Sequence, residues 1–533
     1  MKGERLFRIL GLVDDDLIEE AVSASSAAAS KRRRTPWRAL GLAACLALVC
    51  GLGLFWFRGG GLAGIGFGGS AGNASSGDSG SAADDPLSTE GTAFMFYAGP
   101  VFPLTTLEED AGLTAERALT WDFTPGTHAD GTPRRRGATV ADRYILTNPG
   151  PEAVTVTALY PFAGSFRELA DLRPAVTVDG VETDAVLYAG AYAGGFQGVW
   201  QSVGQLDGST LNLAPPGSWT DYKALLESGD YLAQALGDAP ALDQPVTVYE
   251  FADFEAPHGE YDAATQAIEF TIDQEKTTVL TYGFNGGSWD PDTGWQRHSY
   301  FVPNGVRREP EKKVLAVLGE DIGDYTLTGY KNGGCNEGEE IEGVSCTVTR
   351  RETTLDAVLD ELCRYFYEDY AGWQYGMADS TVEAVPYPLF RRAASELLTQ
   401  YGVLSREATV DRYADGRLDD ILSEALSQER VLYLSVPVTV PAGGSVDITF
   451  KLWKAPSFDY GCSGSENAGL QGYDLVTRLG SNLDFTRQTA AVENAAGVEI
   501  VRQNLGLDLT GGVTSVELDM AEEHYYLEIR PAE

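Results

Sequence analysis

Val438-Thr439-Val440-Pro441-Ala442-Gly443-Gly444-Ser445-Val446 reads as strand, turn, strand, with β-branched residues on either side of a Pro-Ala-Gly-Gly turn. It lies inside a longer tract, residues 430–451. A second tract, residues 142–161, has a similar look: its strand-like runs 141–147 and 154–161 are joined by the turn Asn148-Pro149-Gly150-Pro151-Glu152. The likeness suggests two related β units. Working outward, short β-branched and aromatic runs recur at 118–123, 175–178, 245–251, 267–272, 277–284, 314–318 and 344–349, separated by Gly, Pro, Asn and Asp. That regular spacing predicts sandwich-like sheets.

Helical patterns interrupt the β pattern. Residues 354–370 are the clearest, with Leu355, Val358, Leu359, Leu362 and Phe366 on one apolar stripe. Residues 389–401 and 418–426 follow, so 354–428 reads as a helical block. Residues 218–237 predict two short helices, with Ser218 as N-cap and Gly237 as a stop.

The chain has 533 residues, more than one ordinary domain. Hydrophobic residues are 43% and charged residues 22%, enough apolar content to bury cores over most of the length. The formal net charge is −39, which excludes a general nucleic-acid binder, because a phosphate backbone would repel it. The charge is uneven. Residues 1–58 hold nine basic and six acidic side chains, while the remaining 475 hold 30 basic and 72 acidic.

The sign changes across Ala39 to Phe57, nineteen residues without a charge. As a helix they would be about 28 Å long, close to the hydrocarbon thickness of a bilayer. Lys31, Arg32, Arg33, Arg34 and Arg38 precede them. The positive-inside rule puts the N-terminus in the cytoplasm and the acidic body outside. Leu42-Ala43-Ala44-Cys45 has the form of a lipobox, but only six apolar residues separate Arg38 from Cys45, too few for a signal-peptide core. The expected fold class is therefore α+β: a β-rich, sandwich-like extracytoplasmic body with a helical block, preceded by one transmembrane helix. The divisions are 1–38 (cytoplasmic segment and basic anchor), 39–57 (membrane helix), 58–92 (Gly/Ser/Ala-rich linker), 93–353 (β-rich region), 354–428 (helical block) and 429–533 (C-terminal β region). Within the linker Gly64-Ile65-Gly66-Phe67-Gly68-Gly69 matches GxGxxG, yet no strand precedes it and no helix follows, so no nucleotide site is read there.

In the cytoplasmic segment Leu6, Phe7, Leu10 and Val13 fall at helical spacing. Asp14 to Asp16 can cap a second helix, with Leu17, Ile18 and Ala21 as its apolar face and Glu19 and Glu20 in its first turn. About forty residues cannot build a stable core alone, which makes the piece a partner-binding segment or a plain tail. LFRILGLVDDDLIEEA, then a basic stretch, then a single span, resembles the N-terminal module of Gram-positive single-pass membrane proteins with an anti-sigma-factor-like segment and a large extracytoplasmic domain. The resemblance covers about sixteen residues and the layout. It implies a sigma factor as partner, contacted through Asp14, Asp15, Leu17, Ile18, Glu19, Glu20 and Ala21. The zinc-binding His/Cys set of some anti-sigma proteins is missing.

Local chemistry is sparse. Four histidines, His128, His258, His298 and His524, are far apart in sequence, and neither a metal nor a cofactor is expected. Cys335 and Cys346 flank an acidic loop, and a disulfide between them would pin it like a hairpin. Cys363 sits in mid-helix beside an apolar stripe, which favours core packing over a nucleophile paired with His298. Asp290-Pro291-Asp292-Thr293-Gly294 has a DxDxG look, but no glutamate closes it as a calcium loop, so a β-turn is expected. Trp289 and Trp295 flank that turn. No Walker A, HExxH, GxSxG or CxxC sequence occurs. The functional expectation is a single-pass cell-membrane protein, N-terminus cytoplasmic, with a sensing or binding body outside, an unknown extracellular ligand and a sigma-factor-binding tail. The alternatives are a membrane-anchored surface binding or adhesion protein without a regulatory role, and an envelope hydrolase with an unrecognised site.

Overall fold

The computed structural model describes residues 96–97, 99–109, 111–128, 131–134, 136–192, 223–224, 227–257, 264–302, 312–369, 385–400, 404, 417–459 and 469–532. The cytoplasmic segment, the apolar span and the linker lie outside them, as do Ser218, His258, Trp373 and Cys462. Among the described residues no helix is long and apolar enough to cross a membrane.

The body is β-rich α+β, with five sheets among the described residues. A seven-stranded sheet runs in the order Ser515–Glu517, Asp484–Glu493, Thr114–Asp122, Ala138–Thr147, Ser445–Lys454, Ala175–Val178, Val181–Glu182. A four-stranded sheet faces it, in the order Thr105–Thr106, Val154–Gly164, Arg430–Val440, Val186–Tyr192. Period-2 alternation explains the facing surfaces: Val446, Ile448, Phe450 and Leu452 of one sheet and Leu432, Leu434, Val436 and Val438 of the other share one buried cluster.

The two look-alike tracts are not two units. Ala138–Thr147 pairs with Ser445–Lys454, and Val154–Gly164 pairs with Arg430–Val440, both antiparallel. Each strand–turn–strand tract gives one strand to each sheet of a single sandwich. That sandwich therefore draws on both the 93–353 and the 429–533 regions.

Residues 245–354 are inserted between its halves and form a second sandwich. One sheet has the order Thr277–Tyr282, Lys313–Gly319, Pro245–Glu255, Ser345–Thr354, and the other Gly286–Trp289, Trp295–Phe301, Thr265–Thr271, Tyr325–Tyr330. Tyr249, Phe251, Ile268, Phe270, Phe284 and Tyr300 fill its core.

Four helices matter for packing: α1 (Asp230–Leu236), α2 (Leu355–Asp369), α3 (Tyr387–Gln400) and α4 (Leu418–Ser427). Helix α1 ends at Gly237, whose N–H bonds Gln234 O. Helix α2 starts where Thr354 Oγ1 accepts from Ala357 N, an N-cap contact. Its stripe Leu355, Val358, Leu359, Leu362, Cys363 and Phe366 is almost fully buried, each large apolar side chain contributing roughly 1.5–3 kcal/mol. Helices α2, α3 and α4 share one hydrophobic cluster with Val248, Leu280 and Val314 of the inserted sandwich and with Phe166 of the first. Asp419 and Asp420 stand in the first turn of α4, where the helix dipole favours negative charge.

A five-stranded sheet, containing Gln471–Val476 and His524–Pro531, covers the far end of the seven-stranded sheet. Leu119, Trp121 and Val140 meet Tyr473, Leu475 and Leu527 there. Two apolar cores thus share one face of the seven-stranded sheet, and a charged layer lies where they meet.

Candidate functional site

Near that junction a cavity of about 100 Å3 opens inside the first sandwich. Its apolar wall includes Phe102, Tyr160, Phe162 and Leu452, and its polar groups are Glu168, Glu429 and Lys454.

Lys454 ends the strand Ser445–Lys454 of the seven-stranded sheet and is 8% exposed. It is in phase with Val446, Ile448, Phe450 and Leu452, so the alternation that buries those four also buries a lysine. Its Nζ donates to Gly99 O at 2.8 Å. Burial pulls the ammonium down to about 8, against the attraction of Glu429, Asp474 and Glu168.

Glu429 lies between α4 and the strand Arg430–Val440 of the facing sheet. It is half-buried and lines the cavity. Burial pushes its carboxyl up to about 8, the negative charge of Glu168 adds to the rise, and Lys454 opposes it. Glu168 sits at the exposed rim. Ser165 N and Oγ both donate to Glu168 Oε2, at 3.2 and 3.0 Å, in a capping box that fixes the carboxylate. Arg430 pairs with Gly164 across the sheet, so the residues flanking this pair, Glu429 and the turn carrying Glu168, emerge at one sheet end.

Trp453 joins the lining and is held from outside the cavity. The Arg134 guanidinium lies 4.9 Å from its ring centroid, and Arg134 is tied to Asp171 at 3.0 Å. Gly137, at φ +108°, lets the backbone pass the indole: a Cβ there would stand 2.7 Å from both Trp453 Nε1 and Lys454 O. Deeper in, the fully buried Asp474 places Oδ1 3.3 Å from His524 Nε2. Charges of both signs on facing sheets, with apolar walls between them, suit recognition of a small charged group.

The other sequence-derived candidates are elsewhere. Asp14, Asp15, Leu17, Ile18, Glu19, Glu20 and Ala21 lie outside the described residues. The disulfide expected between Cys335 and Cys346 is not formed: both are free thiols. Cys335 interacts with Ser299 and packs with Ala267 and Tyr330, whereas Cys346 interacts with Tyr300 and joins the inserted core. Ser299 and Tyr300 are consecutive on one strand and point to opposite faces, so the two sulfurs are on opposite sides of a sheet. Cys363 is fully buried among the α2 stripe, its thiol pushed up to about 12 by burial. His298 belongs to the separate inserted core. No nucleophile pair is assembled from them. Asp290 to Gly294 forms a hairpin turn, with Asp290 N bonded to Trp295 O and Gly294 N to Asp290 O. Among the described residues no group of three or more His, Cys, Asp or Glu side chains could hold a metal ion. Trp289 is 43% exposed, and Trp295 carries the Arg297 guanidinium 5.5 Å from its centroid.

Sequence reading missed Glu168, Glu429 and Lys454. Lys454 carries the one usable signal, a cation in the apolar phase of a strand. Glu168 and Glu429 carry none, because only the strand pairing brings them together. No protein-family model matches the chain, and no curated protein matches it.

Proposed function

We propose that this is a single-pass membrane protein whose extracytoplasmic body binds a small ligand and whose cytoplasmic tail binds a sigma factor. The observation that carries the binding part is the Glu429–Lys454 cavity, a recess that brings charged groups of both signs together against apolar walls. The membrane part rests on the nineteen-residue apolar stretch with its preceding cations. The regulatory part rests on the resemblance of residues 6–21 to anti-sigma-like modules. The Gly/Ser/Ala-rich composition of residues 58–92 is that of a linker rather than of a rigid connector, so ligand-controlled proteolysis is the route consistent with it.

Two experiments test this. Single-cysteine probes before Lys31 are expected to be protected in intact cells, and probes after Gly59 labelled; a labelled N-terminal probe rejects the orientation. The full-length tagged protein, crosslinked in its native cells, is expected to capture a sigma factor, and Leu17→Asp to lose it. If the two samples capture the same proteins, the tail is only an anchor and the surface-binding reading replaces the regulatory one.

A further inference from the structure

Resting on the reading of the cavity as a ligand site, we infer that its ligand is a small zwitterion, a molecule with an ammonium and a carboxylate a few bonds apart, the chemistry of a free α-amino acid with a short side chain. The charges are sorted by sheet. Lys454 comes from the seven-stranded sheet, and Glu429 and Glu168 stand at the end of the four-stranded sheet that faces it. A simple amine entering the cavity meets Lys454, and a simple carboxylate meets two glutamates. A zwitterion lying across the cavity turns its carboxylate to Lys454 and its ammonium to Glu429, and that ammonium favours the charged Glu429 carboxylate against the burial that otherwise holds its proton on.

The details of the walls agree. The Lys454 ammonium has three N–H donors, and the Gly99 carbonyl takes one of them. The Ser165 bonds hold Glu168 at the rim by Oε2, leaving Oε1 without a hydrogen bond to Ser165. The ring of Tyr160 is stacked 4.4 Å from Phe450 at an interplanar angle of 7°, which makes it a rigid apolar wall that can exclude water from the charges. At about 100 Å3 the space suits a ligand of a few heavy atoms rather than a peptide.

The test uses the full-length protein in detergent micelles at neutral pH, with L-alanine, ethylamine and propionate as probes, measured by calorimetry and by ligand-observed NMR. L-alanine is expected to bind at least tenfold more tightly than either singly charged probe. Glu429→Gln and Lys454→Met are each expected to weaken it at least tenfold, and Trp289→Ala on the inserted sandwich to leave it unchanged. Cooperative melting by circular dichroism confirms that each variant is folded. If ethylamine or propionate binds as tightly as L-alanine, the zwitterion assignment is overturned while the cavity remains a ligand site. If none of the probes binds to the folded protein, the zwitterion assignment is overturned as well. A probe that binds Glu429→Gln and Lys454→Met as tightly as it binds the wild type occupies another site and overturns both readings.

Discussion

Arg117 and Asp142, on neighbouring strands of the seven-stranded sheet, form a fully buried ion pair: Nη2 stands 2.7 Å and Nε 2.9 Å from the carboxylate oxygens. The guanidinium also donates to Val476 O at 2.8 Å and Phe102 O at 3.0 Å, and Tyr144 donates its hydroxyl to Asp142 at 2.8 Å. Burial works against the Arg117 charge, yet Asp142 and the tyrosines hold the guanidinium above its ordinary value. The pair lies between the two apolar cores on one sheet face, flanked by Ala115 and Leu119 on one strand and by Val140 and Tyr144 on the next. It ties the five-stranded sheet, through Val476 O, to the first sandwich.

Breaking this pair leaves a buried charge without compensation. Asp142→Ala is expected to destabilise the body by about 3–5 kcal/mol in chemical denaturation. Arg117→Met combined with Asp142→Leu is expected to cost clearly less than the two single changes added together. Strict additivity in that cycle would show that the contact contributes nothing as a pair.

The α2 stripe can be probed by truncation. Leu359 is fully buried between the helical block and the inserted sandwich, so Leu359→Ala leaves a cavity and is expected to cost about 2–5 kcal/mol. A loss below about 1 kcal/mol by denaturant titration would mean that the helices are not packed on the sandwich.

His298 gives the inserted sandwich an acid limb. It is buried, stacked 5.7 Å from Phe270, and burial lowers its imidazole to about 4. The unfolded chain takes up a proton below about pH 6.5 and the folded chain only below about pH 4. The stability is therefore present above pH 6.5 and lost as pH falls toward 4, by on the order of 3 kcal/mol. His298→Leu removes this titration, and its stability should fall less steeply than that of the wild type over the same interval.

Two glycines separate close approach from backbone conformation. Gly112→Ala, at φ +64° with nothing within 4 Å, is expected to cost only the left-handed backbone term, about 1–2 kcal/mol. Gly137→Ala adds a collision with Trp453 and with the carbonyl of Lys454, and is expected to cost about 2 kcal/mol more in thermal or chemical melts. Equal losses at both sites would place Trp453 away from Gly137.

The thiol state is directly measurable. Alkylation of the unfolded, unreduced protein is expected to label Cys335, Cys346 and Cys363 fully by peptide mass spectrometry. A peptide pair joined through Cys335 and Cys346 would contradict the placement of these residues on opposite faces of one sheet.

What the amino-acid order determined by itself is what depends on near neighbours. Apolar alternation marked the strands around Val446 to Leu452, and a 3.6-residue stripe from Leu355 to Phe366 marked α2, because side-chain direction repeats with backbone geometry. Arg117, Asp142 and Lys454 stand in the apolar phase of their strands, a local signal that the sequence reading passed over and that could not have named their partners. Partner choice belonged to the tertiary structure. Residues 138–164 pair with residues 430–454, and the chain between them builds a second sandwich and the helices α1 to α4. Closing so long a loop costs only slightly more than closing a shorter one, so nothing in local sequence favours one distant strand over another. Complementary burial decides, and with it the meeting of Glu168, Glu429 and Lys454. The Cys335–Cys346 bridge failed for the same reason: the ten residues between them say nothing of the sheet that stands between their sulfurs.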